Sequence, residues 1–251
     1  MAGALMKQKI AIISDIHGNS FALEAVLKDI SHRNVDLIFN LGDSIYGPLD
    51  PVGTIKILKE HKMNHVRGNC DRMLWEPVQD SSSTLNEVKR LLTNEHLNWL
   101  KEHPSQYIME DIFFCHGTPD SDEIYLLEKM TEDGGVLKTT DEIMKHLQNI
   151  EQQIIVCGHT HIPRVVYLPD GKIVVNPGSI GLPAYKDDLP ISHKMESGSP
   201  LANYAVLEKE STRWIIEQIS VPYDWEKAAE SAEKNGREDW AVALRTGRVE
   251  I

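Results

Sequence analysis

Five short stretches gather carboxylates, imidazoles and glycines: DIHG at 15–18, GD at 42–43, GNCD at 68–71, CHG at 115–117 and GHTH at 158–161. In an extended segment residues i and i+2 face one side. Asp15 with His17, and His159 with His161, are therefore spaced to grip one ion together or to serve two neighbouring ions. Asp43 offers two oxygens, enough to bridge a pair of cations. Asn69 adds a neutral carbonyl oxygen and His116 another nitrogen. This set of oxygen and nitrogen donors suits borderline divalent metals such as Mn, Fe, Ni or Zn. It does not suit a structural zinc site, which takes cysteines at close spacing. Each stretch alone has a plain structural reading: D-x-H as a surface or capping pair, G-D as a turn. Their joint occurrence, in order, is what points to metal chemistry.

Such a constellation needs elements that bring five distant stretches to one edge. KIAIIS at 9–14 reads as a buried strand. It is followed by FALEAVLKDISHR, a helix capped by Asn19 or Ser20. VDLIFNLGD is a second buried strand, DPVGTIKILKEHK a helix with proline in its first turn, and NHVRGN a third strand. This βαβαβ order predicts a parallel sheet with right-handed crossovers. Residues 70–104 read as a helical insertion, with a loop at Ser81, Ser82 and Ser83. QYIMEDIFFCHG reads as two strands around a turn at Glu110 and Asp111, residues 118–150 as polar loop and helix, and QQIIVCGHTH as a strand ending in the histidine pair. RVVYLPDGKIVVNPGS is a hairpin around Pro-Asp-Gly. ANYAVLEK and RWIIEQISV form a further antiparallel pair, and two helices over about 224–247 end the chain. Each of the five stretches thus falls at a predicted strand end, where sites of open α/β sheets form. Without repeats or a boundary, 1–251 reads as a single domain. Residues 1–5 precede Met6 and receive no role.

The series D-x-H, G-D, G-N-x-D, H and G-H-x-H resembles the calcineurin-like metallophosphoesterase family. GHTH followed by NPGSIGLP resembles its small prokaryotic phosphodiesterase branch, with similarity from about Lys9 to Val221. The resemblance implies an α/β fold of two packed mixed β-sheets flanked by helices. It further implies two metal sites: Asp15, His17, Asp43 and His161 at the first, with Asp43 bridging, and Asn69, His116 and His159 at the second. The implied activity is a metal-dependent phosphoesterase, most simply hydrolysing a small phosphodiester or nucleotide-type substrate by attack of a metal-bound hydroxide. Two divalent ions are implied, with manganese favoured. A protein phosphatase, a non-catalytic scaffold and a metal-binding sensor are the alternatives.

Many members of that family carry histidine after the G-N pair, as the acid for the leaving group. Here the residue is Cys70, a neutral thiol and a poorer acid. Asn69, Cys70 and His116 are the catalytic candidates. Arg67, Arg164 and Ser179 are the candidate phosphate contacts, and Tyr46 either lines the opening or packs beside it. Cys115 and Cys157 sit on apolar strands and read as packing residues.

Composition narrows the partners. The net charge is −12 over 251 residues, so the chain has no general attraction to a nucleic acid backbone and duplex nucleic acid is not expected. Apolar content of 41% with 25% charged residues is that of a globular chain, and no apolar run is long enough to span a bilayer. Three cysteines without framework spacing point to a reducing compartment, the cytoplasm. Oligomeric state is not legible.

Overall fold

The computed structural model describes residues 8–77, 82–131, 134–211 and 213–250. In the first half, β1 (Gln8–Ile13), α1 (Ser20–Ser31), β2 (Leu37–Asn40), α2 (Pro51–Glu60) and β3 (Asn64–His65) follow the alternating pattern. The helices α3 (Asn69–Met73), α4 (Ser83–Leu91) and α5 (Asn94–Lys101) come next. They lead to β4 (Gln106–Met109), β5 (Ile112–Cys115), β6 (Glu128–Thr131), β7 (Gly134–Leu137), α6 (Thr140–His146) and β8 (Ile154–Val156). The chain continues through β9 (Arg164–Tyr167), β10 (Ile173–Asn176), β11 (Ala184–Asp187), β12 (His193–Glu196), β13 (Ala202–Glu210) and β14 (Arg213–Val221), then α7 (Trp225–Lys234) and α8 (Glu238–Thr246).

Two five-stranded mixed sheets result, with orders β14-β13-β1-β2-β3 and β4-β5-β8-β10-β9. In the first, β1, β2 and β3 run parallel and β13 joins β1 antiparallel. In the second, β5, β8 and β10 run parallel between two antiparallel edges. Period-two alternation sorts the strand residues into layers. Ile10, Ile12 and Phe39 meet Phe114, Val156 and Val175 between the sheets, and the rings of Phe39 and Phe114 stack at 3.8 Å. Ala11 and Ile13 face the other way, onto α1. Phe113, Cys115, Ile155 and Cys157 face α6, so both of these cysteines are packing residues. The architecture is an α/β/β/α sandwich.

Local sequence explains several boundaries. The Asn19 side chain accepts from Ala22 N and caps α1, while Asp50 caps α2 with Pro51 at its first position. Ser82 accepts from Leu85 N and caps α4, so Ser82 and Ser83 are a helix start rather than a loop; Ser81 and residues 1–5 lie outside the described residues. Two antiparallel pairs, β6–β7 and β11–β12, occupy segments that read as polar loop or carried no strand signal. The third strand is much shorter than NHVRGN suggested, two residues only. Among the described residues, no helix is long and apolar enough to cross a membrane.

Candidate metal centre

All five motifs lie just beyond the carboxyl ends of parallel strands: β1, β2 and β3 in one sheet, β5 and β8 in the other. The first helical residue of α3 is Asn69. The chain does not stay extended through these ends, contrary to the simple i, i+2 expectation. Asp15, His17, Asp43, His159 and His161 all have positive φ, between 51° and 71°. They are five of eight such non-glycine residues among those described. This left-handed conformation costs of order 1 kcal/mol per residue. Backbone bonds between the loops hold it: Asp15 N donates to Gly42 O, His17 N to Asp43 O and Gly181 N to Asp15 O. The resulting turns send His159 and His161 to different places.

Among the described residues two ligand groups of Asp and His form, joined by a third of His17, Asp43 and Cys70. Asp15, His17 and His161 make one, and Asp43, His116 and His159 the other, with potential ligand atoms mutually within 4.8 Å in each. Asn69 joins the second, its Oδ1 3.1 Å from His116 Nε2. The groups adjoin: Asp43 Oδ2 is 3.4 Å from His116 Nε2 and 3.9 Å from His17 Nε2, and Asp15 Oδ1 is 3.3 Å from His161 Nε2 and 4.0 Å from His116 Nε2. Three imidazoles are oriented alike, with Nδ1–H donating to a backbone carbonyl: His17 to Tyr46 O, His116 to Leu41 O and His161 to Leu182 O. A carbonyl only accepts, so Nδ1 carries the proton; in His17 and His161 this turns Nε2 inward as the lone-pair atom of the neutral ring, whereas His116 Nε2 itself faces the acceptors Asn69 Oδ1 and Asp43 Oδ2.

Two features of this geometry fit cations. The Nε2 atoms of His17 and His161 face each other at 3.1 Å, a lone-pair contact that an ion between them relieves. Asp15 Oδ1 is fully buried with no hydrogen-bond partner, while Oδ2 accepts from His159 N. A buried carboxylate oxygen left unpaired is costly, and a cation satisfies it. The charges agree. Burial raises the Asp15 carboxyl but His161 and His116 outweigh it and hold it near 2. Burial likewise opposes ionisation of Asp43, yet His116 keeps it well below the usual carboxylate range. Burial lowers His17 and His159 to about 4, leaving neutral donors. His116, against burial, is raised to about 10 by Asp43, so a cation arriving there displaces a proton.

The surrounding loops serve the ligands. Gly68 packs so close to Asp43 that a Cβ would lie 2.1 Å from its Oδ1. Asp71 is buried and accepts from Ser44 N and Gly68 N, tying the second and third loops together. Its carboxyl is pushed up to about 7 by burial and by Asp43. The backbone N–H of Cys70 donates to Asp43 Oδ1 at 2.9 Å. The Cys70 thiol lies near the centre, within 4.8 Å of ligand atoms of His17 and Asp43, and burial with the adjacent carboxylate raises it well above the ordinary thiol range.

Of the phosphate contacts anticipated from sequence, none lines the main cavity over the ligands, which measures about 410 Å³. Arg67 borders a neighbouring recess that also touches His116. Arg164 is paired with the buried carboxylate of Glu128. Ser179 is buried, donating to Asp15 O and accepting from Leu182 N, so it braces the first loop. Tyr46 does line the cavity, and so do Tyr125, Tyr185 and Trp240, which no motif flagged.

A model of the calcineurin-like phosphoesterase superfamily domain matches residues 8–194, which include every ligand named above. The chain belongs to that superfamily. This phosphoesterase is 29% identical to an uncharacterized protein of Methanocaldococcus jannaschii over 262 aligned positions, covering 94% of this chain and 96% of that one. Its fold is similar to the crystal structure of a metallophosphoesterase from Sphaerobacter thermophilus, with TM-score 0.74, 24% identity and coverage of 96% and 99%. A Pyrococcus horikoshii protein is similar at TM-score 0.72, 17% identity and coverage of 95% and 98%. The phosphoesterase family is metal-dependent, and the clustered Asp and His residues are its candidate ligands here.

Proposed function

We propose that the protein is a binuclear phosphoesterase that hydrolyses a small phosphodiester or nucleotide-type substrate. The observation that carries this reading is the pair of adjoining ligand groups, with an unpartnered Asp15 oxygen inside them. Asp15, His17 and His161 hold one divalent ion, Asn69, His116 and His159 the other, and Asp43 stands between. Mn, Fe, Ni and Zn fit the oxygen and nitrogen donors, and manganese is the favoured ion. Such ions supply Lewis acidity and a nucleophilic water at neutral pH.

The chain's own contribution is orientation. Backbone carbonyls of Tyr46, Leu41 and Leu182 fix three imidazoles before any ion arrives, so no reorganisation is needed during reaction. The Cys70 N–H and the glycine at 68 fix the Asp43 carboxylate. No serine or cysteine nucleophile is required. The thiol of Cys70 stays protonated and contributes little acid catalysis, which favours substrates whose leaving group departs without a proton.

The test is direct. Protein purified without chelator is assayed for metal content and for hydrolysis of bis(4-nitrophenyl) phosphate with Mn²⁺, Ni²⁺ or Zn²⁺ added. Two ions per chain and metal-dependent turnover are the expected result. Absence of turnover with every ion, at full metal loading, would refute the enzyme reading.

A further inference from the structure

The cavity above the ligands is walled by a part of the chain that the family match does not reach. The matched residues end at 194, yet α8 and the turn before it bring Arg237 and Trp240 to the same cavity as His17, Asp43 and His161. Trp240 is 6% exposed and stands edge-on to the His17 ring at 5.9 Å. It fits against Gly47, where a Cβ would come within 3.1 Å of its ring. The guanidinium of Arg237 lies over the indole at 5.2 Å and reaches across to Thr84 on α4. Tyr46 also ties to that helix start, its hydroxyl 3.2 Å from Ser82 Oγ. Across the site, Tyr185 packs 4.6 Å from the His161 ring and bonds to His159 O. Tyr46, Tyr185 and Trp240 therefore flank the Asp15–His17–His161 group as a braced aromatic wall.

The two cations beside this wall are already paired. Arg237 is paired with Asp239, and Lys186 with Glu250. The cavity thus offers the rim of the largely buried Trp240 and the half-buried Tyr46 ring rather than unpaired cations for a second phosphate. Its volume of about 410 Å³ accommodates a ring system beyond the phosphoryl group. We propose that Trp240 and Tyr46 form a specificity wall that takes a flat aromatic ester group of the substrate, holding it on the His17 and His161 side of the ions. The proposal rests on the phosphoesterase reading for the position of the phosphoryl group, but the wall can be tested by binding alone.

The probes are phenylphosphonate and methylphosphonate, titrated calorimetrically into the metal-loaded full chain. They share the anionic head and differ in the ring. The wall predicts phenylphosphonate binding about tenfold tighter, with the ratio falling to about twofold in both Trp240→Leu and Tyr46→Leu and the methylphosphonate affinity unchanged. Tyr46 is half-buried rather than buried, which keeps the test available if the Trp240 variant fails to fold. Equal affinities in the wild type, or a ratio preserved in a folded variant, would overturn the wall. A preference for the phenyl probe without any phosphodiester turnover would instead leave the wall standing and remove the enzyme reading.

Discussion

Replacing Asp43 with asparagine keeps the shape of the side chain and removes the charge that stands between the two ligand groups. Oδ1 can still accept from the Cys70 N–H, so the loop should keep its fold, and the loss should fall on the ions. Metal content should drop from two ions to one or fewer, and turnover by at least ~10²-fold. Full metal content with full activity would show that Asp43 does not join the two groups. Cys70 gives a contrasting expectation, because its hydrogen bond to Asp43 comes from the backbone and survives any ordinary substitution. Cys70→Ala should leave turnover within about twofold. Cys70→His places a group that titrates near neutrality beside the centre, and a working general acid is worth ~10²–10⁴-fold. Across a series of phenol leaving groups of rising pKa, the histidine variant should gain most on the poorest. A flat gain with both ions still bound would mean that residue 70 does not govern protonation.

Elements were legible in the sequence where a single rule fixed them. The apolar runs of β1, β2 and β8, the Asn19 cap and the proline in the first turn of α2 marked the strand and helix ends on which the motifs sit. The reversal of the chain at each ligand was not legible. Asp15, His17, His159 and His161 take left-handed φ where distant loops hold them, Asp15 and His17 through backbone bonds, His159 through its N–H to Asp15 Oδ2 and His161 through its ring to Leu182 O, and spacing alone carries no trace of those bonds. The β6–β7 pair was hidden because Glu-Lys-Met-Thr and Gly-Gly-Val-Leu lack alternation, and the β11–β12 pair because Ala-Tyr-Lys-Asp and His-Lys-Met-Glu are short and largely polar. Tyr125, Tyr185 and Trp240 meet only through tertiary packing. One such packing contact makes a pH prediction. His65 of β3 stacks on His103 after α5 at 4.4 Å, and burial lowers them to about 3 and about 4. Unfolded imidazoles take up protons below about 6.5, whereas these two do not until far lower pH. Their contribution to stability is therefore full above 6.5 and is lost as pH falls from 6.5 to about 4 for His103 and to about 3 for His65. Each should cost about 1–2 kcal/mol between pH 7.5 and 5. Urea midpoints should fall over this range in the wild type and fall less in His65→Phe. An equal fall in both would assign the acid sensitivity elsewhere.

At the scale of the molecule, the centre is a joint between two sheets. Asp15, His17, Asp43 and Asn69 come from loops of the first sheet, and His116, His159 and His161 from loops of the second. The sheets meet elsewhere through apolar contacts such as the Phe39–Phe114 stack. At this edge, by contrast, buried carboxylates and imidazoles face one another, and one carboxylate oxygen has no partner. Removing the ions should leave both sheets formed and weaken the edge where they join. Each ion that binds the folded chain alone stabilises it by about 2.7 kcal/mol at a hundredfold excess over Kd, so two independent ions contribute about 5 kcal/mol. For a chain of this size that corresponds to a Tm higher by about 10–20 °C. Calorimetric scans with excess Mn²⁺ and with EDTA should differ by this amount, with closely similar far-UV circular dichroism at 25 °C. Asp43→Asn, which uncouples the two groups, should show a smaller difference than the wild type. Identical Tm values for wild-type protein in the two conditions, with metal analysis confirming loading and removal, would mean that the ions do not link the sheets.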